Sequence, residues 1–191
     1  MSNQQISSGL TNHLLISTPK LKDGVFDQSI VYVCEHSKNG TMGLKINHSL
    51  PLKIEEMFSQ LKIESHHNND ENFLLLDGGP INVEQGFILH NTKQKEWESC
   101  LQVADDLFVT TSKDILYAIA ENTIEGKYLV VLGYSGWSSG QLENELKDNV
   151  WMTIPASQKI IFDIDKTDIW QHCVDQMGFD FNQLSSIIGH A

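Results

Sequence analysis

Tyr128 to Leu146 reads YLVVLGYSGWSSGQLENEL, and the fold of the whole chain turns on how this stretch is interpreted. Tyr128 to Leu132 is apolar and β-branched, the pattern of a strand covered on both faces. Gly133, Gly136 and Gly140 follow as a glycine-rich bend, because glycine reaches backbone angles closed to other residues. From Gln141 a helical period resumes. Leu142, Leu146 and Val150 recur on an inner face, while Glu143 and Lys147 can pair outside. Strand, bend and helix in this order predict a β–α unit at the centre of the domain.

Working outward, the amino-terminal half is rich in hairpin signals. His13 to Ser17 and Ile30 to His36 have strand patterns, and Asn39-Gly40 is a turn that returns Met42 to Asn47 antiparallel. Pro51 suits the first turn of a helix whose apolar face is Ile54, Met57, Phe58 and Leu61. After a polar loop from His66 to Asn72, Phe73 to Leu76 is a strand, broken by Asp77-Gly78-Gly79-Pro80 and resumed at Gly86 to His90. Ser99 to Val103 and Leu107 to Thr110 are further strands. Thr111 or Ser112 caps a helix with Ile115, Leu116 and Ile119 inward. Beyond the central unit, Ile160 to Ile164 predicts a strand and Thr167 to Met177 a helix closed by Gly178, with a short helix or turn to follow. Residues 1–11 are expected to be a mobile segment and residues 12–191 a single domain. Hairpins early and β–α units late make this an α+β domain with mixed strands.

Composition narrows the function classes. The 191 residues carry a formal net charge of −12, which repels phosphate backbones and anionic membrane surfaces. Three cysteines, Cys34, Cys100 and Cys173, lack disulfide-scaffold spacing and suggest reduced thiols and a cytoplasmic location. No apolar run approaches the roughly 20 residues of a membrane span.

Several constellations invite chemical readings. The glycine bend resembles a phosphate loop, yet it holds no basic residue, and Glu143 and Glu145 already occupy the positive end of the helix dipole. Gly136-Trp137-Ser138-Ser139-Gly140 fits the G-x-S-x-G elbow of serine hydrolases, with Asp163, Asp168, His172 and His190 downstream. The chain is short for that fold and its front half reads as hairpins, so the match is taken as accidental. Cys34 and His36, two apart on a strand, are expected to share a face, but no spacing completes a metal site around them. No metal, cofactor or catalytic set is therefore assigned. The candidate helices carry Glu55, Glu56, Glu143, Glu145, Asp168 and Asp175 where a DNA-reading helix needs basic residues.

Taken together, HLLISTPKL (13–21), SIVYVCEHSKNGTMGLKIN (29–47), DGGPINVEQGFILH (77–90), TTSKDIL (110–116), LGYSGWSSGQLENELKDNVW (132–151) and the terminal GHA (189–191) resemble the AlgH/YqgE family of bacterial proteins. The resemblance spans nearly the whole chain in the right order. It departs at Gln85 and Lys113, where arginine is usual, and at Asn47-His48-Ser49 in place of Asn-Arg-Pro. It implies a single α+β domain with a curved, partly barrel-like mixed sheet flanked by helices. It implies no enzyme activity. Members commonly carry a transcriptional-regulator label, after a link to control of alginate production. That label and the charge together predict a regulatory protein acting through a protein partner or small ligand, without direct nucleic-acid or membrane contact. The alternative is an enzyme acting on a small substrate at a cleft near the glycine-rich turns. Strand-end turns can gather at one edge of a mixed sheet, so His36, Gly79, Trp137 and Gln141 are the candidate binding cleft. Trp137 is either its anchor or a plug between strand and helix.

Overall fold

The computed structural model describes residues 9–22, 24–66, 73–93 and 96–178. Ten strands run in chain order. The first five are β1 (His13–Ser17), β2 (Ile30–Ser37), β3 (Gly40–Lys45), β4 (Ser49–Lys53) and β5 (Leu74–Asp77). The second five are β6 (Ile81–His90), β7 (Cys100–Ala104), β8 (Leu107–Thr110), β9 (Tyr128–Ser138) and β10 (Trp151–Pro155). The helices are α1 (Ile54–Gln60), α2 (Lys113–Ala120), α3 (Gln141–Lys147) and α4 (Ile169–Met177). The main path of the sheet is β10-β1-β2-β3-β9-β6-β8-β7, with β5 alongside β9 and β4 alongside β5.

The central stretch is the splice of this sheet. One edge of β9 pairs with β6 over Tyr128 to Tyr134. The other edge is shared, since Val131 and Leu132 pair in parallel with β5 while Ser135 to Ser138 pair antiparallel with β3. At the handover stands Gly133 with φ +71°, and an added Cβ there would sit 2.7 Å from the Gly79 carbonyl oxygen. The expected bend is therefore real but lies inside an eleven-residue strand, which runs on to Ser138. The ladder with β3 holds Ser135 to Ser138 extended, where the glycines alone suggested a bend. All other pairings are antiparallel, and the sheet curls into a half-barrel with helices packed on it, an α+β fold.

Three apolar clusters follow from the strand alternation. Leu14, Tyr32, Leu44, Phe87 and Val131 fill the inside of the curl, where Ile169, Cys173 and Val174 of α4 close it. On the outer face, Val130, Ile88 and Leu75 pack against Ile54 and Phe58 of α1 and Ile115 and Ile119 of α2. Leu15, Val31 and Val33 pack against Trp137, Trp151 and Leu142 of α3. Val130 and Val131 thus face opposite clusters, as a doubly covered strand requires. Burying each such side chain is worth roughly 1.5–3 kcal/mol.

Four expectations need correction. Pro51 lies in β4, and the helix begins at Ile54, where the Lys53 N–H is capped by Glu56 at 2.9 Å. An edge strand with an irregular register can carry the missing donor. Ile160 to Ile164 is a π-helical turn over Lys159–Asp163, because consecutive Ile160 and Ile161 both bury toward one cluster and a strand would split them. Trp151–Pro155, unassigned from its pattern, is a strand paired with β1, so the central helix ends at Lys147 and Val150 lies outside it. Finally, Cys34 and His36 do not share a face. A β-bulge between Val33 and Glu35 breaks the alternation, leaving Cys34 inside the curl and His36 toward α3. The short helix or turn expected after Gly178, like most of the loop at His66 to Asn72, falls outside the described residues. Of the amino-terminal segment, Leu10 packs under α3's cluster and Thr11 accepts a bond from the His36 N–H.

Candidate functional site

Three of the four candidate residues gather around α3: Gln141 begins it, and His36 and Trp137 lie against it. Thr41 and Trp137 are cross-strand partners, and the Trp137 ring passes over Gly43, where an added Cβ would lie 3.6 Å from it. Trp137 is only 6% exposed, stacked at 6.4 Å with Phe26 and edge-on at 5.9 Å to Trp151. Its indole N–H donates to Glu145 Oε2 at 2.9 Å, and the Trp151 N–H donates to the same oxygen at 2.8 Å. Gln141 donates to Glu145 Oε1 at 2.9 Å and accepts from the Ser138 N–H at 3.0 Å. His36 Nδ1 is 2.7 Å from Thr41 Oγ1, and its Nε2 is 3.6 Å from Glu143. Glu145 is thus the hub of this cluster. Sequence reasoning missed it because it was counted only as a charge near a helix start; two tryptophans at i−8 and i+6 give no local signal.

Gly79 lies apart from these three. Its φ is +142°, its N–H donates to Asp77 at 3.0 Å, and it is pressed against the Tyr134 carbonyl and Ser135. Nearby, Lys45 is 2% exposed, its ammonium bonded to Asp77 at 2.7 Å and Val25 O at 2.9 Å, with Phe26 beneath it. This ion pair, buried on the lysine side only, ties the glycine turn to β3.

A cleft of about 650 Å³ opens on the other face of the β2–β3–β9 ladder. Of the four candidates, Trp137 alone is among its lining residues. Its floor is Phe87 and Tyr134, edge to face at 5.8 Å, with Met42 beside them. Its rim carries Glu35, Asn39, Asn82 and Gln85. The bulge at Cys34 is what turns Glu35 into this cleft. Among the described residues, no hydrogen bond or ion pair engages the side chains of Glu35, Asn82 or Gln85.

The two buried thiols and the Ser138 hydroxyl are chemically quiet. Burial pushes the Cys34 thiol far above its ordinary range, aided by the Glu35 charge, and burial raises Cys173 to about 11. All three cysteines are free. The Ser138 hydroxyl donates to Gln141 at 3.2 Å, and among the described residues no imidazole bonds it. Among the described residues no group of three or more His, Cys, Asp or Glu is placed to hold a metal ion, and no helix is long and apolar enough to cross a membrane.

A curled, nearly all-antiparallel half-barrel with a cleft between its central strands and a helix strapped over the opposite face defines a class of small α+β proteins. This chain belongs to the AlgH-like family, whose model matches residues 14–182. It is 43% identical over 183 residues to a UPF0301 protein of Shewanella loihica, covering 95% of this chain and 98% of that one. It is 46% identical over 186 residues to one of Vibrio parahaemolyticus, covering 95% and 99%. Among solved structures, the AlgH protein from Pseudomonas aeruginosa superposes with a TM-score of 0.78 at 35% identity, over 100% of both chains. A Corynebacterium diphtheriae protein, at 17% identity, TM-score 0.68 and 86% and 85% coverage, shares the fold.

Proposed function

We propose that this chain is a non-catalytic cytoplasmic binding protein that regulates through a protein partner or small ligand held in the cleft, without reading DNA itself. The carrying observation is the cleft: an aromatic floor ringed by side chains that the protein does not use internally. Such a concave site with few convergent polar groups is the usual form of a ligand pocket. The charge argues against direct DNA contact. All thirteen basic side chains are lysines, so the bidentate arginine–guanine pairing is absent, and Lys45 is buried. The test is a gel-shift titration with promoter and random duplexes at physiological salt, beside a pull-down from native cytosol. Neither duplex should shift below micromolar protein. Sub-micromolar, sequence-selective binding refutes the reading.

One observation favours the rival, an enzyme on a small substrate. Thr41 Oγ1, His36 and Glu143 form a chain with the connectivity of a hydroxyl–imidazole–carboxylate triad. Thr41 is 7% exposed, and the His36–Glu143 contact is long at 3.6 Å. Labelling by a fluorophosphonate that is lost in Thr41→Val would support that rival over binding.

A further inference from the structure

We propose that the cleft recognises a cation, an ammonium or guanidinium group, through Glu35 and the aromatic floor. This rests on the binding reading above and names its ligand chemistry. Among the described residues, Glu35 is the one carboxylate in the lining, and no lysine or histidine lines the cleft with it. The nearest charges belong elsewhere. Lys38 is exposed on the β2–β3 turn outside the lining, Glu84 lines a different groove, and Glu143 faces His36 on the opposite side of the sheet.

The floor suits the same ligand. Tyr134 and Phe87 pack edge to face at 70°, and both rings line the cavity, the half-buried Tyr134 more openly than the buried Phe87. A cation over an aromatic face gains about 0.5–2 kcal/mol, more as water is excluded. The amide oxygens of Asn82 and Gln85, both at the rim, can accept the remaining N–H bonds. An anionic ligand meets the opposite conditions, with no basic group to pair it and a carboxylate at the rim. The overall charge of −12 steers cations inward as well. Position 85 controls the preference. A cationic residue there would offset Glu35 and remove the preference, whereas the glutamine of this chain leaves the carboxylate uncompensated.

The test is titration of the whole protein at 100 mM salt, followed by NMR of the Tyr134 and Phe87 rings. Agmatine is the free cation, 1,4-butanediol its neutral counterpart, and a capped Gly-Arg-Gly peptide represents an arginine on a protein partner. Agmatine or the peptide should shift the ring signals saturably, with butanediol at least tenfold weaker. Whichever cation binds more tightly identifies the source. Glu35→Gln and Gln85→Arg, both at exposed positions, should each weaken cation binding at least tenfold with unchanged melting temperature. Equal binding of butanediol, or full affinity in Glu35→Gln, overturns the cation while leaving a ligand cleft. Ring signals that respond to none of these probes, nor to anionic citrate, remove the cation, and the binding reading then depends on the pull-down alone.

Discussion

Removing the Glu145 carboxylate should destabilise the protein more than an ordinary surface substitution. Two indole N–H groups, on Trp137 (6% exposed) and Trp151 (2% exposed), donate to one oxygen of this side chain. A buried donor left without an acceptor costs roughly 1–3 kcal/mol, so two imply ~2–6 kcal/mol. Glu145 is itself only half-buried, and water entering behind a truncated side chain would recover part, leaving ~2–3 kcal/mol for Glu145→Ala. For a chain of this size that is a fall in Tm of about 4–12 °C. Glu145→Gln is the discriminating control. Its oxygen can keep both indoles while its amide meets the Gln141 amide donor, so it should cost about 1 kcal/mol. Urea unfolding followed by tryptophan fluorescence measures both. Glu145→Ala within ~0.5 kcal/mol of wild type, or Gln as damaging as Ala, would refute the bridging role.

Stability should also fall with acid through His90, which is fully buried between Thr110 and Phe108, burial lowering its pKa to about 4. The unfolded chain binds this proton first, so stability is complete above about pH 6.5 and declines toward pH 4, by up to roughly 3 kcal/mol; His90→Gln should flatten that part of the unfolding profile. Gly79→Ala should cost more than ~2 kcal/mol, since its Cβ would lie 2.4 Å from the Tyr134 carbonyl oxygen at a φ of +142°. An unchanged urea midpoint for that variant would contradict the close packing of the turn on β9.

Hairpin and helix positions were legible wherever the signal is local. Asn39-Gly40 marks the β2–β3 reversal, and the apolar spacing of Ile115 and Ile119 marks α2, because turn chemistry and side-chain period act within a few residues. Short apolar runs were not legible, since IIF at 160–162 fits a strand or a buried turn equally until its packing partners are known. The candidate site divided along the same line. His36, Trp137 and Gln141 were picked for polar or aromatic character near strand ends, and the structure gathers them around α3. Which face Glu35 and His36 point to was decided by one bulge at Cys34, a backbone feature without a residue signature.

By itself, the sequence determined that this is an acidic α+β domain built around an apolar strand and the helix after it, because composition and periodicity are properties of neighbouring residues. Only the tertiary structure decided that β9 continues past its glycines to join two halves of a half-barrel, that Glu145 holds Trp137 and Trp151 together, and that Glu35 enters a cleft while His36 turns away. Each depends on contacts between segments far apart in the chain, where the cost of closing the loop is repaid by burial and paired hydrogen bonds that no local pattern encodes.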